Sequence, residues 1–208
     1  MRSTSFGQDY EPTAVDRFGV ALSARAVRRG AEFPGRRIAD IGCGYHATLV
    51  RSLLPEVAHA TLVDVALADD LAAHPKVTGL VGPIDEQLPR VGSGSIDVLL
   101  CLSVLEHLWE PLAALEECRR VLAPGGTAMF NVPTWRGKWF LELAAFRLGV
   151  SPADEMDDHK TYYDPRDLWP LLVRAGFRPS EIRCHRHKFG LNTFAICRTT
   201  DPASRGDA

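Results

Sequence analysis

The chain has 208 residues, 24 basic and 26 acidic side chains, and a formal net charge of −2. That length suits one well-buried α/β domain, and the near-neutral balance gives no global case for nucleic acid or an acidic membrane surface. No apolar run approaches a membrane span, residues 1–10 do not form a signal peptide, and five cysteines without C-x-x-C spacing suit a reduced, cytoplasmic protein.

Residues 1–11 read as loose. Residues 12–30 follow as an amphipathic helix, with Val15, Phe18, Leu22 and Val27 at roughly helical spacing and Gly30 near its end. Residues 38–41 are a short apolar run suited to a buried strand. Gly42 and Gly44, with Ala47 three further on, then give strand, tight turn and helix start, the helix covering about 47–54. Glycine lets the backbone turn sharply and lets a ligand lie against it, and a helix start offers free N–H groups. Asp40 sits at the carboxyl end of the strand, where α/β sheets bind ligands. It would repel a dinucleotide pyrophosphate and attract an ammonium and a sulfonium, which argues for S-adenosylmethionine over NAD.

Residues 59–64 form a second strand ending in Asp64, twenty positions after Gly44. An acid there fits ribose hydroxyls, with a helix N-cap as the alternative role. Residues 76–81 are a third strand, and 95–102 a fourth. Glu110-Pro111 opens a helix, Pro124-Gly125-Gly126 ends it, and 127–132 is the fifth strand. Residues 133–165 crowd Trp135, Trp139, Phe140 and Phe146 ahead of the polar run 154–163. Asp164-Pro165 starts a helix that Gly176-Phe177 stops, with Pro170 expected to kink or shorten it. Residues 180–188 and 192–198 close the set as two strands, and 199–208 form a tail.

The Asp-x-Gly-x-Gly of 40–44, Asp64 and Ser103-Val104-Leu105-Glu106-His107-Leu108 together resemble the class I S-adenosylmethionine-dependent methyltransferases. The likeness covers 12–198, and is strongest to the small-molecule enzymes of the ubiquinone and menaquinone type. It implies a Rossmann-like, doubly wound α/β fold: seven strands, mostly parallel with an antiparallel last strand, and helices on both faces. It also implies S-adenosyl-L-methionine bound by Asp40, Gly42, Cys43, Gly44, Tyr45, Asp64 and Val65, with Cys101, Leu102 and Ser103 beside its methionine part. The family has Gly-Asp at 82–83; here Pro83 replaces the acid, leaving Asp85, or Ile84 and backbone groups, for the adenine. In this class the N-terminal helix often caps the cofactor pocket, and Tyr10 is a possible contributor; plain packing is the alternative. The family's third glycine is His46 here, so either the loop is reshaped or the imidazole lines the pocket.

The resemblance implies a small-molecule acceptor, covered by the insertion 133–165; an aromatic helix packed on the sheet or in a homodimer is the other account of that stretch. A hydroxyl acceptor, such as a sugar or natural-product intermediate, needs a base, and His107 and His159 are the candidates, against structural and solvent-loop roles. Glu106-His107 resembles half of the Glu-x-x-Glu-His metal site of some O-methyltransferases, but Ser103 removes a ligand, so no metal is expected. The basic set Arg174, Arg178, Arg183, His185, Arg186, His187 and Lys188 is read as a solvated face. An NAD-dependent oxidoreductase and a binding module without turnover are the competing functions.

Overall fold

Ile38, Ala39 and Ile41 are fully buried, as are Ala60, Leu62 and Val63 on one side and Leu99 and Leu100 on the other, so the centre of the sheet is covered on both faces. The computed structural model describes residues 4–8, 13–139 and 159–200. Helix α1 (Ala14–Gly30) precedes β1 (Arg37–Ile41), α2 (Thr48–Arg51), β2 (His59–Asp64), α3 (Asp69–Ala72), β3 (Val77–Val81) and α4 (Ile84–Gln87). Then come β4 (Ile96–Leu102), α5 (Pro111–Val121), β5 (Leu122–Pro133), α6 (Pro165–Arg174), β6 (Ile182–His187) and β7 (Asn192–Arg198).

The seven strands lie in the order β3-β2-β1-β4-β5-β7-β6. Only β7 runs against its neighbours, β5 and β6. The strand order reverses between β1 and β4, and a crevice opens at such a reversal outside the carboxyl ends of the strands. One face buries Val27 of α1, Val50 of α2 and Leu71 of α3. The other buries Leu115 and Cys118 of α5 with Leu168 and Leu172 of α6. This is the doubly wound arrangement that the resemblance implied. Among the described residues no helix is long and apolar enough to cross a membrane.

Three local expectations shift. Helix α2 stops at Arg51 and the chain turns through 52–56; Leu54 precedes Pro55, a position that disfavours helix. Strand β5 begins at Leu122, directly after α5, and its ladder to β4 slips between Ile96 and Val98. Pro124-Gly125-Gly126 is therefore an irregularity inside the strand, with Gly125 at φ 74, and not a separate stop. Helix α6 runs through Pro170 to Arg174. Its ends follow the sequence closely: Asp164 and Asp167 form a capping box. At the other end the Phe177 N–H donates to the Leu172 carbonyl and that of Gly176 to Val173.

Candidate active site

After β1 the chain turns through Gly42 and Gly44, at φ 70 and 75. Position 42 has room only for glycine, because a Cβ there would collide with a methyl of Val104. The further left-handed residue falls on Ala47, at φ 39, and not on His46. The loop is thus reshaped, with the His46 ring exposed and edge-on to Tyr45 at 5.0 Å. Residues 4–8, expected to be loose, form a turn seated on this loop. The Tyr45 N–H donates to the Phe6 carbonyl (3.0 Å), and Ser5 and Gly7 are buried. Tyr10 lies outside the described residues.

Asp40 is buried at the end of β1. Burial, then the nearby Asp64 carboxylate, pushes its pKa up to about 8. Among the described residues no cation offsets it. A carboxyl so placed suits a ligand that brings positive charge. The same surroundings push the Cys43 thiol upward, by burial first and then Asp40, so it stays protonated.

Asp64 fastens the end of β2 to the glycine loop. Its Oδ2 accepts the Gly44 N–H at 2.7 Å and its Oδ1 accepts that of Val65 at 2.8 Å. The alternative of a helix cap falls away, since the next helix begins at Asp69 with Ala68 as its cap. Each carboxylate oxygen keeps a lone pair for a hydroxyl donor. Pro83 is the residue before α4; Ile84, half-buried, opens the helix, and Asp85 in its first turn is exposed.

Beyond β4, Cys101 turns its thiol into the core against Cys118, which with burial raises its pKa, so only its backbone is left to line a pocket. Leu102 is half-buried. Ser103 is exposed at φ 58, a strained conformation for serine, and its N–H donates to the Asn131 carbonyl at 2.7 Å.

The following turn, Leu105–His107, brings distant residues together. The Lys160 N–H donates to the Glu106 carbonyl at 2.6 Å, which seats His159 beside His107 with ring centroids 4.8 Å apart. The Nδ1 of His159 is 3.2 Å from the Tyr162 hydroxyl, and Tyr162 in turn packs at 5.5 Å against Trp135. One ligand atom each from Glu106, His107 and His159 lies within 4.8 Å of the others, so His159 joins in space the half-site that Glu106-His107 resembled in sequence. Phe140, Phe146 and the acids of 154–158 lie outside the described residues.

Two residues near these ends were not singled out for the site. Asn131 is a polar residue in an otherwise apolar strand, a signal open to inspection. Lys188 was grouped with surface cations, and its depth depends on a turn geometry that composition does not reveal. A cleft of about 450 Å³ lined by Arg28, Arg36, Asp97 and Arg198 opens at the opposite, amino-terminal edge of the strands, away from these groups.

The Methyltransferase domain family model matches residues 14–182. The chain belongs to that family, and it is an S-adenosylmethionine-dependent methyltransferase. The ubiquinone biosynthesis O-methyltransferase of Xylella fastidiosa (strain 9a5c) is 27% identical over 183 residues, covering 80% of this chain and 71% of that protein. Its counterpart in Hahella chejuensis is 30% identical over 164 residues, covering 74% and 67%. Among solved structures, a putative methyltransferase from Bacillus halodurans superposes with a TM-score of 0.63 at 14% identity, covering 85% of this chain and 98% of that one. The last likeness concerns the fold alone.

Proposed function

We propose that the protein methylates an oxygen of a small-molecule acceptor, a sugar or natural-product intermediate, with the pair His107 and His159 as the base. The observation that carries this reading is their 4.8 Å ring separation at the carboxyl edge of the sheet, beside the strained Ser103. The relatives named for O-methylation in ubiquinone biosynthesis support an oxygen acceptor.

Bound S-adenosylmethionine supplies a methyl group activated by a sulfonium. Asp40 answers the positive charge, Gly42, Cys43, Gly44 and Tyr45 present the loop backbone, and Asp64 with Val65 receives the ribose. Ile84 and Asp85 flank the adenine, while the Cys101 backbone, Leu102 and Ser103 lie along the methionine part. Holding the acceptor in line is the main task, and orientation of this kind is worth effective molarities of roughly 10⁵ to 10⁸ M. His107 or His159 then takes the hydroxyl proton, adding about 10² to 10⁴ in rate. The Tyr162 hydroxyl holds the His159 ring, and residues 133–165 cover the acceptor. Five unpaired cysteines support a reducing, cytoplasmic setting.

The convergence of Glu106, His107 and His159 favours a second reading, in which two imidazoles and a carboxylate hold a divalent metal that polarises the acceptor oxygen. Transfer of labelled methyl groups to a panel of hydroxylated acceptors, with and without EDTA, separates the two. Activity that persists in EDTA and falls on His107→Ala supports the base. Activity abolished by EDTA and restored by one metal supports the second reading, and transfer only to amines or carbons would sink both.

A further inference from the structure

The inference concerns the chemistry of the acceptor and rests on the acceptor pocket proposed above. The turn between β6 and β7, Lys188–Gly190, has three successive positive φ values of 48, 60 and 84. For lysine and phenylalanine that backbone is costly and needs support. Support comes from Thr134, whose N–H donates to the Leu191 carbonyl at 2.9 Å and whose hydroxyl donates to that of Gly190 at 2.9 Å. Gly137 presses on Leu191 so closely that a Cβ would strike its carbonyl. The turn leaves Phe189 85% exposed and carries Lys188 inward.

The Lys188 amine lies 3.7 Å from where a Cβ would stand on Gly19 of α1. It also feels the carboxylate of Glu106, which follows β4. Strands β7 and β5 separate β6 from β4, so the lysine reaches across their ends. Near that end β5 carries Asn131, which is 0% exposed. On β5, Met129 packs under Gly30 of α1, and side chains two apart share a face, so Asn131 faces α1 as well. Neither the amide oxygen nor the amide nitrogen of Asn131 has a hydrogen-bond partner. Among the described residues the Lys188 ammonium makes no hydrogen bond or ion pair either, and burial draws its pKa down to about 8. The buried Asn131 amide lacks a partner and the half-buried Lys188 ammonium stands unpaired on the same side of the sheet, so both are open to an anionic oxygen.

We propose that Lys188 and Asn131 anchor an anionic oxygen group of the acceptor, which is therefore an acid, with a carboxylate carried on a flat ring beside Trp135 and Tyr162. Lys188 and the Asn131 amide nitrogen donate to the two carboxylate oxygens. The Asn131 Oδ1 accepts from a neighbouring hydroxyl.

The test is calorimetric titration of salicylate, and of its neutral isostere salicylamide, into protein saturated with S-adenosylhomocysteine. The expected result is a preference of roughly tenfold or more for the acid, as a charge-assisted contact gives. Lys188→Met should erase the preference and leave S-adenosylhomocysteine binding intact. Gly19→Leu, a better helix former that fills the space beside the amine, should do the same without lowering Tm. Equal affinity for the two compounds, binding of neither, or an unchanged preference in Lys188→Met would overturn the proposal. So would loss of S-adenosylhomocysteine binding in the variants, which would move the amine to the cofactor. These results leave the O-methylation reading standing, since no methyl transfer is measured; that reading fails separately, in the acceptor panel.

Discussion

A methyl of Val104 fills the space where a side chain at Gly42 would begin, so the glycine loop after β1 and the turn after β4 interlock. Gly42→Ala meets two obstacles, the collision and a φ of 70. The backbone part alone costs about 1–2 kcal/mol, and for a domain of this size each kcal/mol lowers Tm by roughly 2–4 °C. Differential scanning calorimetry should show a larger fall than the backbone part explains. Adding Val104→Ala should recover part of it, so that the two changes are less than additive. Strict additivity would mean that the interlock is not felt.

The acidity of Asp40 sets a pH signature. Its folded pKa, about 8, lies above the ordinary 3.8, so the folded protein keeps a proton that the unfolded chain releases between those values. Stability without ligand should therefore fall as pH rises through that window, by up to about 1.4 kcal/mol per pH unit from this group. Asp40→Asn should flatten the dependence in a Tm-against-pH series and weaken S-adenosylmethionine binding. Below pH 8 a cationic ligand should expel the proton, which calorimetry in buffers of different ionisation enthalpy detects. Binding without proton release would show that Asp40 does not meet the ligand's charge.

Asp64 holds the glycine loop through Oδ2, which accepts the Gly44 N–H, while Oδ1 accepts that of Val65. In Asp64→Asn one oxygen becomes an NH₂ facing an N–H, and a charged hydrogen bond worth about 1.5–3 kcal/mol is lost. The expected outcome is a lower Tm together with weaker S-adenosylhomocysteine binding. A variant that is destabilised but binds normally would confine Asp64 to its structural role.

If the histidine pair is the base, His107→Ala and His159→Ala should each lower kcat by about 10² or more. Affinity for S-adenosylhomocysteine should not change. The double variant should fall little further than the worse single one, as groups that act as a unit do. Independent, multiplying losses would argue that the two rings serve separate purposes.

Much of the architecture was legible because each element carries its own periodicity and punctuation. The apolar run before Gly42 and the Asp164-Pro165 and Gly176-Phe177 pair around α6 needed no tertiary information. The place of Asp40 at the buried end of β1 was legible because the apolar run 38–41 fixes the strand around it. The boundary of β5 was not, since Pro124-Gly125-Gly126 ordinarily marks a break, and only pairing with Ile96 draws Leu122 into the sheet. At position 46 the sequence leaves two outcomes open, a reshaped loop or an imidazole in the pocket, because local rules locate a left-handed residue only to within a place or two; the positive φ falls on Ala47. The meeting of His107 with His159 depends on a backbone hydrogen bond from Lys160 to Glu106, and no spacing rule encodes it.

The glycine loop is closed on its outer side by Phe6 and its neighbours, which lie well before α1 in the chain. The loop proposed to hold the cofactor thereby leans on a segment that carries none of the residues assigned to that cofactor. The loop's shape is held from two sides, by the Asp64 carboxylate and by the Phe6 carbonyl. The Asp64 carboxylate and the Phe6 carbonyl act on adjacent residues, Gly44 and Tyr45, so two parts of the chain that share no strand or helix fix the conformation of one loop.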